Sequence, residues 1–529
     1  MTEKRLLFLY CCIFVFAAVV EARMIMLMCS GYDVIAQRQT VRTIDISTGR
    51  ADIVDCNLNK ITGTENQAKA LITSQTSLQN IYENILPQDR EKFYSRIQQQ
   101  KQVVVDLTAP LQTETIYTTS KRYSSANLAT HLIGYTDLDG NGLTGIERAY
   151  NNLLKDSGEK ISVHFNVNGN GEIYGDVYST TADSYNVLAL TLDNSLQRMA
   201  ESIAKEYIKD GSVVIMESKT GKIRAMASVP VYDANNLPEY LNGENSPMVN
   251  KALQSYEPGS VIKPLWAAVL LEQGYNPAGT YYCHGYTTVN GHTYHCAKNR
   301  AHGEIDMTQA LVVSCNCYFI DAFIENKGFL FRQMANMLDF GESIAICDNL
   351  YTASGNFPTV YQIENMGTQS SVCFGQGNFR LTPIHTAAFM NIFANDGVYV
   401  APQVVEGVFD GKSGNILQQI YKYESKNILQ KTTAQTIKDM LVSVVHDGAS
   451  DRRQPLFLSA GGKTGTAQTG KTKENGEEVF TAWFCGFYPA ETPEYTICVT
   501  MYDGGESYYS AAPVFKKICD SIYFMKYAV

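Results

Sequence analysis

From Leu6 to Val20 the chain is apolar without a break; Glu21 and Arg23 then interrupt the run, and Met24 to Met28 resume it. A membrane-spanning helix needs about 20 residues, so the first run alone is short and the resumed one brings it to length. Arg23 can reach the interface along its aliphatic stem. Lys4 and Arg5 stand before the run, which favours a cytoplasmic start and an exported remainder. The rival reading is a cleaved leader, but no A-x-A-like cleavage pattern follows. The expectation is one uncleaved anchor ending near Met28, on the cell membrane, with the rest of the chain outside the cytoplasm. No later stretch has comparable apolar length.

The pattern then changes twice. From Cys29 to about Ser184 it is mixed and polar, with a Gln-rich helical stretch over Glu91 to Lys101 and turn signals at Asp139-Gly140, Asn168-Gly169 and Asn170-Gly171. From about Tyr185 the periodicities sharpen. Asp193 or Asn194 caps a helix whose apolar positions Leu196, Met199, Ile203 and Tyr207 fall on one face. Ser212 to Glu217 and Ile223 to Ser228 flank a turn at Thr220-Gly221 and read as a hairpin. Near the C-terminus Lys463 to Thr469, Val479 to Phe487 and Tyr495 to Asp503 read as strands, with Asn475-Gly476 turning the first pair. Strands at both ends with helices between imply an α+β layer whose sheet joins distant parts of the chain. Three parts are expected: 1–28, 29–184 and 185–529.

Composition adds limits. The chain is 45% hydrophobic and 18% charged, as a globular protein is, and its net charge of −10 leaves no basic stripe for nucleic acid. The 13 cysteines are odd in number and scattered, unlike the dense framework of a small secreted domain.

Three short motifs carry candidate chemistry. Ser260-Val-Ile-Lys263 follows Gly259 and opens an apolar helix, which places hydroxyl and amine one turn apart. A serine hydroxyl needs an adjacent base, and a buried lysine of lowered pKa can serve. Ser314-Cys-Asn316 offers a relay hydroxyl and an orienting amide. Gly462-Lys463-Thr464-Gly465-Thr466 offers a cation and two hydroxyls on a strand, with glycines marking a close approach. Singly, each reads as easily as a helix cap, a loop or a glycine-rich turn.

Together and in this order they resemble the S-x-x-K, S-x-N and K-T-G set of the penicillin-binding proteins and serine β-lactamases. Gly375-Gln-Gly377, Leu381-Thr-Pro383, Asn395-Asp-Gly397, Ala482-Trp-Phe-Cys-Gly-Phe-Tyr-Pro489 and Ala511-Ala-Pro-Val-Phe-Lys516 look like the surroundings of these motifs in transpeptidases. His131-Leu-Ile-Gly-Tyr135, Gly142-Leu-Thr-Gly-Ile-Glu147 and Arg50-Ala-Asp-Ile-Val-Asp55, with Ala51 where glycine is usual, resemble the pedestal of class B members. The resemblance implies the penicillin-binding transpeptidase fold, with an antiparallel five-stranded sheet flanked by helices, an all-helical subdomain, an elongated N-terminal pedestal and one transmembrane helix. It implies a D,D-transpeptidase of the elongation, division or sporulation type that joins peptidoglycan stem peptides and is trapped by β-lactams. Ser260 would attack, Lys263 would take its proton, Ser314 would relay it and Asn316 would hold Lys263 and substrate. Lys463 would stay protonated, Thr464, Gly465 and Thr466 would line the substrate, and the backbone N–H groups of Ser260 and Thr466 would form the oxyanion hole. A multi-span glycan polymerase is the implied partner, and no cofactor is.

Other readings are weaker. Asp137-Leu-Asp-Gly-Asn-Gly142 starts like an EF-hand loop, but position 148 is Arg148 rather than an acid. Cys283, His284, His292, His295, Cys296 and His302 could suggest zinc, yet their spacing is no standard ligand pattern. Loop residues or a cysteine pair, Cys296 with Cys283 or Cys315, are expected there, and no metal. A β-lactamase-like hydrolase would need an E-x-x-L-N segment between Asn316 and Lys463, which is missing. A β-lactam sensor would need further spans.

Overall fold

The computed structural model describes residues 3–527 except 30–40, 48, 73–81, 99–101, 110–115, 125–127, 138, 156, 168–172, 183, 327–328 and 448–451. The turns expected at 168–171 therefore lie outside the described residues. The N-terminal run forms one continuous helix, α1 (Glu3–Cys29), with its side chains exposed. At 1.5 Å per residue its 27 residues reach about 40 Å, enough to cross a hydrocarbon core of about 30 Å. Glu21 and Arg23 do not break it, since both are good helix formers.

The chain packs as two compact units. The first gathers 1–50, 65–121 and 156–185. It holds two three-stranded antiparallel sheets, one with Glu65–Ile72 between Val103–Asp106 and Ile116–Lys121, the other with Ile161–Val167 between Val41–Asp45 and Ile173–Thr181. In strand 65–72 the alternation places Ala68, Ala70 and Ile72 in one core with Val103 and Phe93, and Leu71 in another with Val163 and Phe165. Of the helix expected over 91–101, Arg90–Gln98 is observed, and 99–101 lie outside the described residues.

The second unit gathers 51–64, 122–155 and 186–529. Its boundary at Tyr185/Asn186 sits where the periodicities sharpen, but two stretches from 29–184 pack with the C-terminal part. The reason is burial. Asp52–Val54 pairs in parallel with Asn186–Leu190, and Ile53, Leu132, Ile146 and Leu154 enter the same core as Leu188 and Leu190. Ala51 is fully buried, and its N–H donates to Leu154 at 2.8 Å.

The central sheet of this unit has five strands: β1 (Gly211–Glu217), β2 (Ile223–Val229), β3 (Gly461–Thr472), β4 (Glu478–Tyr488) and β5 (Tyr495–Tyr502). Their order is β2-β1-β5-β4-β3, antiparallel throughout, so the N- and C-terminal strands close on each other. Helix α2 (Asn194–Tyr207) begins at Asp193, whose carboxylate accepts from the N–H groups of Ser195 and Leu196. It covers one sheet face with α7 (Ala511–Tyr527), burying Leu196 and Ile203 with Ile215, Val499 and Phe515. The other face meets the larger core, which contains α3 (Lys263–Glu272), α4 (Asn316–Asn326), α5 (Pro383–Ala394) and α6 (Lys431–Asp447). Between α3 and α5 lie further short helices together with two-stranded ribbons such as Tyr281–Cys283 with Gly303–Ile305.

Candidate active site

Ser260 sits half-buried in a 3₁₀ turn, Gly259–Ile262, that leads directly into α3. Lys263 opens the helix, and Pro264 follows where the first-turn N–H groups need no helical partner. Gly259 takes φ +58 and donates its N–H to Gly375 at 2.9 Å. A Cβ there would lie 3.0 Å from the Thr466 carbonyl, and one on Gly375 would lie 2.1 Å from the Gly259 carbonyl. The Gly375-Gln-Gly377 segment is thus the floor on which the serine turn rests. Trp483 fixes the approach to the turn, donating its indole N–H to Glu257 at 2.9 Å.

The missing side chain of Gly465 admits the serine turn, since a Cβ would stand 2.6 Å from the Pro258 carbonyl. The third motif is thereby pressed against the first. The Gly462 position is filled by the Phe484 ring, 2.6 Å from a built Cβ.

Lys263 is fully buried. Its ammonium donates to the Asn316 amide oxygen at 2.7 Å, the Ser314 carbonyl at 2.8 Å and the Ser314 hydroxyl at 3.3 Å. Asn316 is held from its other end, donating to the His295 carbonyl at 2.9 Å. Burial lowers the Lys263 pKa from 10.5 to about 8, against the pull of nearby cysteines led by Cys315. A neutral amine has two hydrogens, so losing the proton leaves a lone pair and releases the longest of the three contacts.

Ser314 owes its placement to a helix end. The short helix Met307–Val312 closes with Ser314 N–H to Leu311 and Cys315 N–H to Ala310, the double bond of a Schellman motif. The left-handed position belongs to Ser314, at φ +56, where glycine is the usual residue. Backbone strain of about 1–3 kcal/mol is therefore held at a candidate catalytic residue. Ser314→Gly is expected to raise the thermal midpoint while slowing acylation; a lowered midpoint in a thermal melt would contradict the strain argument.

Lys463 lies on the buried side of β3, while Thr464 and Thr466 alternate to the other side. Its ammonium has the Thr464 carbonyl at 3.3 Å. Burial, then repulsion from Lys263 and Arg453, pushes its pKa well below 10.5. The expectation that Lys463 stays protonated thus meets an opposing field before substrate arrives. Thr466 shares a 2.9 Å hydrogen bond with the Ser507 hydroxyl and accepts the Ser507 N–H at 3.2 Å. Ser507 and Arg453 were missed from sequence, and His295 was named there only for its ring and not for the backbone carbonyl that holds Asn316, because each reaches the site through tertiary packing rather than a local motif.

A second cluster adjoins this one. The sulfurs of Cys283, Cys296 and Cys315 and a ring nitrogen of His302 lie within 4.8 Å of one another. The closest approach of Cys296 to its two expected partners is 3.8 Å for Cys283 and 3.6 Å for Cys315, far beyond a bonded pair at about 2.05 Å. The loop at Asp137 is different: its carboxylate accepts the N–H groups of Asp139 and Asn141 and closes an Asx turn.

Residues 211–520 match the penicillin binding protein transpeptidase domain. The chain belongs to this family. Stage V sporulation protein D of Bacillus subtilis (strain 168) is 28% identical over 72% of the chain and 59% of its own length. Peptidoglycan D,D-transpeptidase MrdA of Haemophilus influenzae is 26% identical over 73% of the chain and 63% of its own. The matches thus span less than two thirds of these relatives. A solved chain described under the structural coordination of polymerization and crosslinking by a peptidoglycan synthase complex aligns with a TM-score of 0.72 at 23% identity, covering 100% of both chains. This penicillin-binding protein accordingly has the α+β transpeptidase fold, and α1 fits a single-pass anchor by length and composition.

Proposed function

We propose that this penicillin-binding protein is a peptidoglycan D,D-transpeptidase acting on D-alanyl-D-alanine stem peptides through a Ser260 acyl-enzyme. The observation that carries the reading is the buried Lys263, one turn from Ser260, with its amine fastened to Ser314 and Asn316. Neutral Lys263 takes the Ser260 proton as the hydroxyl attacks the penultimate carbonyl. Ser314 passes a proton to the leaving amine, and an amine of a second stem resolves the ester. The N–H groups of Ser260 and Thr466 receive the oxyanion. The terminal carboxylate lies along Thr464, Gly465 and Thr466, and its charge offsets the repulsion among Lys463, Lys263 and Arg453, so that Lys463 gains its proton as substrate binds.

In this reading α1 anchors the chain in the cell membrane with the catalytic unit outside the cytoplasm. Segments from 29–184 form the pedestal and 185–529 carry catalysis, and a multi-span glycan polymerase is the partner. Full chain in detergent is expected to take up a fluorescent penicillin covalently and keep it, and Ser260→Ala to take up none. Equal labelling of Ser260→Ala would refute the assignment. Rapid loss of the label from the wild type would favour a β-lactamase-like hydrolase.

A further inference from the structure

The segment from Tyr281 to Ile305 makes two small ribbons, Tyr281–Cys283 with Gly303–Ile305 and Tyr286–Val289 with His292–His295. Most of its side chains are exposed, and Cys283, Val289, Cys296 and Ile305 supply its buried hydrophobics. That is too little apolar area to fix 25 residues, and small folds of this kind ordinarily carry a staple. Two buried thiols of the segment meet two more, Cys315 and Cys317, at the start of α4.

We propose that Cys283, Cys296, Cys315 and His302 hold one Zn²⁺ ion in a tetrahedral site that staples this segment to the Ser314–Asn316 motif. The distances carry the argument. Zn–S and Zn–N bonds arranged tetrahedrally place sulfurs about 3.8 Å apart and sulfur about 3.5 Å from nitrogen. The three sulfur pairs are at 3.8, 3.5 and 3.6 Å, and Nδ1 of His302 is 3.3 Å from the Cys283 sulfur. Four of the six edges thus come close to those of a single-ion tetrahedron, and the remaining two, from His302 to Cys296 and Cys315, are within 4.8 Å; an iron–sulfur cluster would spread its cysteines farther apart.

The surroundings suit thiolate. The backbone N–H of Gly285 points at the Cys283 sulfur and that of Tyr318 at the Cys315 sulfur, each at 3.4 Å. Such N–H···S contacts are the outer partners that orient ligands and offset their charge. Cys317, 3.4 Å from Cys296, adds a thiol beside the four ligands. Three cysteines, one histidine and a buried setting select Zn²⁺ over Mg²⁺ or Ca²⁺. On binding, each of the three thiols releases its proton to water and its sulfur lone pair forms the metal bond. The ion would fix the peptide on either side of Cys315, which is Ser314 and Asn316, and the chain after His295, whose carbonyl holds the Asn316 amide.

The ion can be measured apart from the penicillin reaction, so its test stands whether or not the Ser260 assignment does. Full-length protein purified in detergent without chelator is expected to contain about one zinc per chain by elemental analysis. Exchange for Co²⁺ is expected to give a thiolate-to-metal charge-transfer band and the intense visible bands of a tetrahedral ion. Cys296→Ser is expected to lose the metal, Cys56→Ser to keep it, and Cys296→Asp, which retains a ligand atom, to hold Co²⁺ with a weaker charge-transfer band. Should Cys296→Ser not fold, the cobalt spectrum of the wild type decides alone. A wild-type chain that neither contains zinc nor takes it up on titration would overturn the proposal. So would a disulfide among these cysteines in the peptide map, or zinc retained by both Cys283→Ser and Cys296→Ser.

Discussion

Lys263→Met is expected to slow acylation of Ser260 by a penicillin roughly 10²- to 10⁴-fold, the usual worth of a positioned general base. Methionine preserves the volume in a fully buried position and removes the amine. The pH profile distinguishes loss of a base from loss of shape. With a pKa lowered to about 8, only about a tenth of the chains carry neutral Lys263 at pH 7. The wild-type acylation rate should rise with pH and level off above about 8, because the neutral form is the active one. The methionine variant should lack that inflection. A wild-type rate flat across this range, or a variant within a few fold of wild type, would remove Lys263 from the role of base. Stopped-flow acylation with a chromogenic cephalosporin gives both numbers.

Glu147→Ala is expected to cost roughly 3–5 kcal/mol of stability, as losing one member of a buried ion pair does. Glu147 is fully buried and receives the Arg122 guanidinium at 2.7 Å and the Tyr123 hydroxyl at 3.1 Å. Burial alone would lower the Arg122 pKa; the Glu147 carboxylate holds it above its ordinary value. Arg122 also donates to the Ala51 carbonyl, so the cation, left with the longer Asp52 contact at 3.8 Å, would disturb the strand over 52–54. Arg122→Met combined with Glu147→Leu should recover much of the loss, since an apolar pair needs no counterion. Denaturation midpoints of the two single variants and the double variant check this; an effect below about 1 kcal/mol for Glu147→Ala would show the pair to be well solvated.

What could be read from the sequence was local. Asp193 at the head of α2, the hairpin of β1 and β2 and the Asn475-Gly476 turn between β3 and β4 each declare themselves within a few residues, and each stands where expected. The motifs were legible because order and spacing survive without knowledge of the fold. Their contacts were not. Nothing near Gly465 announces that Pro258 will occupy its empty side, and nothing near Thr466 points to Ser507. The parallel pairing of 52–54 with 187–189 joins stretches between which the chain passes twice through the other unit, over 65–121 and 156–185. Ser314 shows the limit differently. Sequence marks it as a hydroxyl, whereas its left-handed backbone follows from Leu311 and Ala310 closing the preceding helix. The thiol cluster escaped a spacing argument because Cys283, Cys296 and His302 fit no standard ligand spacing and Cys315 joins them from a separate segment.

Among the described residues β3 stands last in the sheet order, paired on one flank by β4. A terminal strand presents a row of backbone donors and acceptors to any extended chain laid beside it. Recognition along such a rail is metric before it is chemical. A guest moves by two residues, about 7 Å, to regain the same face, so a stem that slipped would miss the serine by that whole step. On the proposed function, a stem laid along β3 would bring its bond before Ser260 in one register alone, and a slip of a single residue would turn every side chain to the opposite face.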